Sequence, residues 1–330
     1  MLNVFLTVDT EIWPFVANWP TNPLPPSKSD FAEEIAGYIR GETGSGDYGV
    51  QFQMEVLNRN ALKATYFVEA LFSGRAGNGA LHEIVDQVQS AGHEVQLHVH
   101  TEWLRELADP DLPAEFQQNI HQFSEDAQTR IVAKGIANLT QAGARNLCAF
   151  RAGNYGASLE TLRALARNGI AFDSSHNSCF LDTDCQIRVD EPLQQPTMID
   201  GVCEFPVTVF SDYPGHVRHA QLCACSFQEL EAALLQAWQA DWYSFVIVWH
   251  SFELMRRVRE PGRRAPDWMH ISRFEKLCNF LAANRDKFRT AVFSEIDART
   301  VPAPGVARLL RSPLRYTARR FAEQMASRLL

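Results

Sequence analysis

Glu94-Val95-Gln96-Leu97-His98-Val99-His100 is the stretch whose reading decides the fold. Side chains alternate across a strand, so Val95, Leu97 and Val99 form one apolar face, while Glu94, Gln96, His98 and His100 form a polar one. The first apolar run has the same parity, with Val4, Leu6 and Val8 opposite Thr7, Asp9 and Glu11. In a β/α barrel the outer strand face packs on helices and the inner face looks to the axis, so functional groups collect at the carboxyl ends of the strands. Both polar faces are therefore expected to look into a barrel.

The rest of the chain fits that frame. Strand-like runs at 3–9, 63–68, 94–100, 146–151, 170–173, 203–209, 245–250 and 289–293 alternate with helical patterns near 49–59, 81–91, 115–142, 158–168, 226–241 and 271–285. This is the signature of parallel strands joined by crossover helices, and it predicts an α/β fold, a distorted (β/α) barrel of seven or eight parallel strands. With 330 residues, 46% of them hydrophobic, the chain can bury one large core. The expected organisation is a barrel over 1–300 with a long loop insertion at 13–48, then a C-terminal extension at 301–330.

The extension carries Arg308, Arg311, Arg315, Arg319, Arg320 and Arg328 against a single acid, Glu323, with leucines, Phe321 and Met325 interleaved. It reads as a basic amphipathic helix or helix pair broken near Pro313, suited to a membrane surface, to a partner, or to folding back on its own barrel. The insertion brings Trp13, Phe15 and Trp19, as a wall for a sugar or as pins on the barrel rim.

A net charge of −8 argues against nucleic-acid binding, which needs an excess of Lys and Arg. No apolar run approaches the roughly 20 residues that span a bilayer. The opening residues lack an export-signal pattern, and the seven cysteines have no paired spacing, so a cytoplasmic setting is expected. Cys223 and Cys225 read as packing residues, since no further ligands follow at a metal-site spacing.

His98 and His100 on one face, with a carboxylate from Asp9 or Glu11, make the ligand set of a catalytic rather than a structural metal site. Zinc leads the candidate ions, although cobalt, nickel, manganese and iron accept the same donors. Hydrolysis that expels a basic leaving group at neutral pH also needs a proton donor, and histidine is the side chain closest to that requirement. His250 is the only histidine at an expected strand end after the ligand pair.

Further strand ends read Phe150-Arg151-Ala152-Gly153-Asn154-Tyr155, Phe172-Asp173-Ser174-Ser175 and Val248-Trp249-His250. In this order, and with Thr7-Val8-Asp9-Thr10-Glu11, Leu62-Lys63-Ala64-Thr65-Tyr66-Phe67-Val68 and Gly92-His93-Glu94-Val95-Gln96-Leu97-His98, the chain resembles the polysaccharide deacetylase family, the NodB-homology or carbohydrate esterase family four domain, as a divergent branch. The resemblance implies metal-dependent removal of an acetyl or formyl group from an amino sugar, in synthesis of a bacterial surface polysaccharide. It assigns Asp9 as general base, Glu11, His98 and His100 as metal ligands, His250 as general acid and Arg151 as the group holding Asp9 ionised. Asn154, Tyr155, Trp13, Glu102 and Asp173 would line the substrate pocket.

The sequence departs from the family pattern at telling places. The position four after His98 is Glu102, where the family has its second histidine, so Glu102 is an alternative ligand to His100. Thr10 stands where the family has its second acid, the arginine motif lacks its proline, and no tryptophan follows Asp173 closely. Two other readings stand beside the deacetylase: another amide or imide hydrolase on the same barrel, and an inactive barrel serving as a binding or scaffold subunit. The sequence gives no oligomeric state.

Overall fold

The computed structural model describes residues 1–14, 19, 21–22, 24–27, 31–257, 264–303 and 307–329. Phe15, expected beside Trp13, lies outside them.

Seven parallel strands form the wall: β1 (Leu2–Thr10), β2 (Thr65–Glu69), β3 (Glu94–Val99), β4 (Ala149–Ala152), β5 (Phe172–Asp173), β6 (Val202–Glu204) and β7 (Ser244–His250). Their spatial order is β7-β1-β2-β3-β4-β5-β6. The sheet curls as a distorted barrel, as the alternation of strands and helices predicts. β5 and β6 are only two and three residues long, a short antiparallel strand, Thr197–Ile199, borders β6, and the chain after β6 completes the far side. There Phe205 donates its N–H to Asp173 O (2.7 Å) and Thr208 to Val246 O (3.2 Å). The eighth expected strand is Phe288–Thr290, which pairs only with Leu2–Val4 at the foot of β1.

Helices α1 (Val50–Arg59), α2 (Asn78–Ser90), α3 (Glu125–Gln141), α4 (Leu159–Arg167), α5 (Phe227–Gln239) and α6 (Trp268–Ala283) connect the strands. α3 begins ten residues later than the apolar pattern suggests, because Ser124 caps it by accepting from Ala127 N–H. Among the described residues the C-terminal extension holds a single helix, α7 (Leu314–Leu329), directly after Pro313; the Leu310–Arg311 strand before it pairs with Val209–Tyr213.

Strand parity divides the interior into a dry floor and a polar mouth. Phe5, Phe67, Ala149, Phe172, Cys203, Phe205, Val246, Ala291 and Phe293 fill the lower axis in one cluster. Phe5 sits 5.0 Å, centroid to centroid, from both Phe205 and Phe293. On β1, Phe5 therefore points into the floor, and Asp9, four residues on, points the same way at the mouth. Burying this plug offsets the cost of gathering charged groups above it.

Candidate active site

Register places the polar side chains in rows around the mouth. Asp9 pairs laterally with His250 on β7 and Phe67 on β2; one step higher, His98 is flanked by Glu69 and Arg151. Paired residues of parallel strands point to the same side, so the groups converge although they are distant in sequence.

Glu11, His98 and His100 present one carboxylate oxygen and two ring nitrogens within 4.8 Å of one another, the only such cluster of three among the described residues. His98 Nε2 lies 3.4 Å and His100 Nε2 2.5 Å from Glu11 Oε2. All three residues are buried, and Glu11 Oε2 has no hydrogen bond of good geometry. The opposite ring nitrogens are engaged: His98 Nδ1 meets Arg151 O at 2.7 Å, and His100 Nδ1 meets Glu102 Oε2 at 3.2 Å. A carbonyl oxygen can only accept, so His98 donates from Nδ1, which turns its Nε2 toward Glu11. Converging electron-pair donors repel unless a cation sits among them, and these residues fit a divalent ion with their outer partners already in place. Glu102 is the outer partner of His100 in this arrangement, and its other oxygen accepts from Asn154 Nδ2 (3.0 Å).

Burial lowers the affinity of His100 for a proton, but the charges of Glu11 and Glu102 and their hydrogen bonds more than offset this and hold its pKa well above the usual value. Burial likewise pushes Glu11 up, and His100, His98 and His250 outweigh it, so its carboxyl is held well below the ordinary range. A metal binds only the deprotonated imidazole, so it must displace the His100 proton at neutral pH. Apparent metal affinity is therefore expected to rise with pH through the neutral range, with proton release at pH 7. Calorimetric titration in buffers of different ionisation enthalpy reads this directly; a buffer-independent heat would contradict it.

The backbone after β4 is shaped around this cluster. A Cβ on Gly153 would come within 2.6 Å of His100 Nδ1, so only glycine lets the ring lie against the chain. Asn154 and Tyr155 follow in left-handed conformations, φ 56° and 58°, which cost about 1–3 kcal/mol each for residues with a side chain. That turn brings Asn154 to Glu102 and lays Tyr155 against Phe180, with ring centroids 5.4 Å apart. Burial, then the charge of Asp9, raises the Tyr155 hydroxyl pKa far above its usual value, so the group is a neutral donor.

Arg151 is fully buried and reaches Asp9 Oδ1 through an Nη atom at 2.7 Å. Its Nε donates to Ser174 O (2.9 Å) and its other Nη to Ser174 Oγ (3.0 Å), and its face lies over Phe67. The guanidinium is thereby fixed, and Asp9 faces a permanent positive charge in a dry setting. His250 Nδ1 meets Glu253 Oε1 at 2.6 Å, leaving Nε2 3.9 Å from Glu11 Oε1. Burial lowers the pKa of His250, but Glu253, Glu11 and Asp9 together raise it to about 9. Gln221 donates to the same Glu253 oxygen and contacts His219 on its other side.

Trp13 covers the cluster from the insertion. Its indole N–H donates to Glu11 Oε1 (3.0 Å), and its ring lies edge-on to His100 and to Trp19. Trp19 in turn leans on Trp103, so the aromatics pin the described part of the insertion to the rim as well as walling the site.

Asp173 is the expected site residue that the structure does not bring to the mouth. It pairs with Phe150 and Glu204, hence faces outward with them, and its carboxylate accepts from Ser175 Oγ at 2.7 Å. Ser174, one residue on and therefore on the inner face, holds Arg151 instead. Sequence reading also missed Glu253, Gln221 and Glu69. Glu253 lies one turn beyond His250, a spacing that could have been read. Glu69 extends the second strand by one residue and accepts from Leu71 and Phe72 N–H, both at 2.9 Å.

Among solved structures the chain is similar to a Mycobacterium smegmatis protein described as a polysaccharide deacetylase, with TM-score 0.57 and 18% identity over 93% of this chain and 94% of that one. A family 4 carbohydrate esterase from Streptomyces lividans, solved with acetate, aligns at TM-score 0.41 and 13% identity over 92% of this chain and 98% of the other. No protein-family model and no curated protein matches the sequence. The first likeness shows a shared fold, the curled parallel sheet with its helices.

Proposed function

We propose that the chain is a divergent polysaccharide-deacetylase-type hydrolase that removes an N-acyl group from an amino sugar, using a divalent ion, zinc first among the candidates, held by Glu11, His98 and His100. The observation that carries this reading is the convergence of those donors beside a buried, arginine-held Asp9. When bound, the ion supplies an activated water and positive charge for the developing oxyanion.

The remaining work falls to side chains. Asp9, bonded by Arg151 at Oδ1, takes the proton of the attacking water on its other oxygen. His250, protonated at neutral pH and aligned at Nδ1 by Glu253, hands its Nε2 proton to the departing amine. Glu102 fixes the His100 ring, and Asn154 fixes Glu102. Trp13 and Tyr155 limit water at the mouth and offer aromatic faces to a sugar ring. The supporting likeness is the fold of the Mycobacterium smegmatis protein, together with the motif resemblance at Asp9, His98, Arg151 and His250.

The test is acyl release from a panel of N-acetylated and N-formylated amino sugars and oligosaccharides, with zinc, cobalt or manganese added. Acetate or formate from a sugar amine, lost on chelation, is the expected result. Turnover confined to cyclic imides or non-sugar amides would move the activity to another hydrolase class, and no turnover with a full metal complement would favour a binding subunit.

A further inference from the structure

Helix α7 is amphipathic the wrong way round. The side that docks on the body is polar: Arg320, 2% exposed, bonds Glu229 and Asp212, and Thr317, 4% exposed, donates to Asp212 O and Glu229 Oε1. Arg273 reaches Glu323 at 2.9 Å to complete the attachment. The side left to solvent carries Leu314, Phe321 and Met325, exposed by 59%, 48% and 62%. Their spacings of seven and four residues put them in one stripe within about 40° around the axis, given roughly 100° per residue. A surface helix ordinarily buries its apolar stripe, so this arrangement presents that stripe to something else.

The charges say what it fits. Arg315 and Arg319 are exposed on the flank of the helix, about 100–140° around the axis from Leu314 on the side away from the docked Arg320, and Arg308 and Arg311 are exposed just before it. The one acid of this segment, Glu323, is already shared by Arg273 and Arg319. In a chain of net charge −8 this is a local cationic, apolar surface. No helix among the described residues is long and apolar enough to cross a membrane, and α7 has the composition of a helix that lies in the interface plane.

We propose that α7 is a peripheral docking surface for an anionic lipid bilayer, with Leu314, Phe321 and Met325 entering the headgroup region and the arginines meeting lipid phosphates. The same hairpin that receives Thr317 at Asp212 returns through His216–His219 to the Gln221–Glu253 pair behind His250, so one element links this surface to the active-site rim. Docking by α7 does not depend on the hydrolase reading.

The test is co-sedimentation of the full-length chain with vesicles of phosphatidylcholine alone or with about a third phosphatidylglycerol. Binding is expected only to the anionic vesicles and should weaken as salt rises, since the Debye length falls to about 3 Å at 1 M. The double variants Phe321→Ser/Met325→Ser and Arg315→Gln/Arg319→Gln are each expected to weaken it by about tenfold or more, with unchanged circular dichroism and melting temperature. Equal binding to both vesicle types, no binding, or binding untouched by either variant would overturn the proposal. So would a salt-stable dimer in sedimentation that Phe321→Ser/Met325→Ser converts to monomer, which would assign the stripe to a second copy.

Discussion

Replacing either His98 or His100 by alanine is expected to empty the site of its divalent ion and to reduce hydrolysis by at least about a thousandfold, because a metal supplies several kcal/mol of transition-state stabilisation. The expectation rests on the economy of the cluster: among the described residues three protein donors converge, and the loss of one leaves too few to hold an ion against solvent. Neither residue is a neutral bystander that a neighbour can replace. Glu102, the alternative donor four residues after His98, already accepts from Asn154 Nδ2 and meets the outer nitrogen of His100. Elemental analysis of protein purified without chelator, paired with turnover measurements, gives the answer. Near-stoichiometric metal in both variants would remove these residues as ligands, and retained metal in His100→Ala alone would return Glu102 to the inner shell.

Asp9→Asn is expected to lower turnover by about 10²–10⁴-fold, the usual contribution of a positioned acid or base, while leaving the metal in place. It should also destabilise the fold. Arg151 is 0% exposed and cannot shed its charge, so an amide in place of the carboxylate leaves a buried cation without its counter-ion. Breaking one side of a buried pair costs about 3–5 kcal/mol when nothing else compensates, and the two Ser174 bonds that remain to Arg151 should keep the loss at or below the low end of that range. Denaturant unfolding of the metal-loaded variant, read beside its metal content and its rate, separates the two effects. A variant that loses stability but keeps turnover within about tenfold would make Asp9 a structural counter-ion and not the base.

These expectations draw on parts of the site that differ in how far the sequence reveals them. His98 and His100 are separated by one residue within a strand of clear alternation, so their common face follows from local geometry. The same reasoning reaches Asp9 and Glu11 and the apolar faces opposite them. It fails at Asp173, because the face taken by a two-residue strand is set by its register against β4 and β6, not by any pattern of its own. A shift of one residue exchanges Asp173 for Ser174, and only the paired sheet shows that Ser174 is the one turned inward.

Partnerships raise a similar difficulty. Arg151 and Asp9 are 142 residues apart, and nothing in either neighbourhood states that they meet at 2.7 Å. That His100 uses Nδ1 for Glu102 while turning Nε2 to Glu11 depends on the turn after β3 and on the bare backbone of Gly153 against the ring. In the C-terminal segment the composition discloses an amphipathic helix after Pro313, yet the side that docks depends on Asp212 and Glu229, which the chain supplies from elsewhere.

By itself, then, the sequence determined the alternation of strands and helices, the parity that aims two histidines and two acids into the barrel mouth, and the helical, arginine-rich nature of the final segment. These are periodic, short-range properties, fixed by the geometry of the backbone over a few residues. Only the tertiary structure decided which serine supports the arginine paired with Asp9, which ring nitrogens of the two histidines are engaged, and which helix face meets solvent. Each of those depends on register and on groups brought together from distant strands, where burial makes a charge seek whichever partner the fold places within reach.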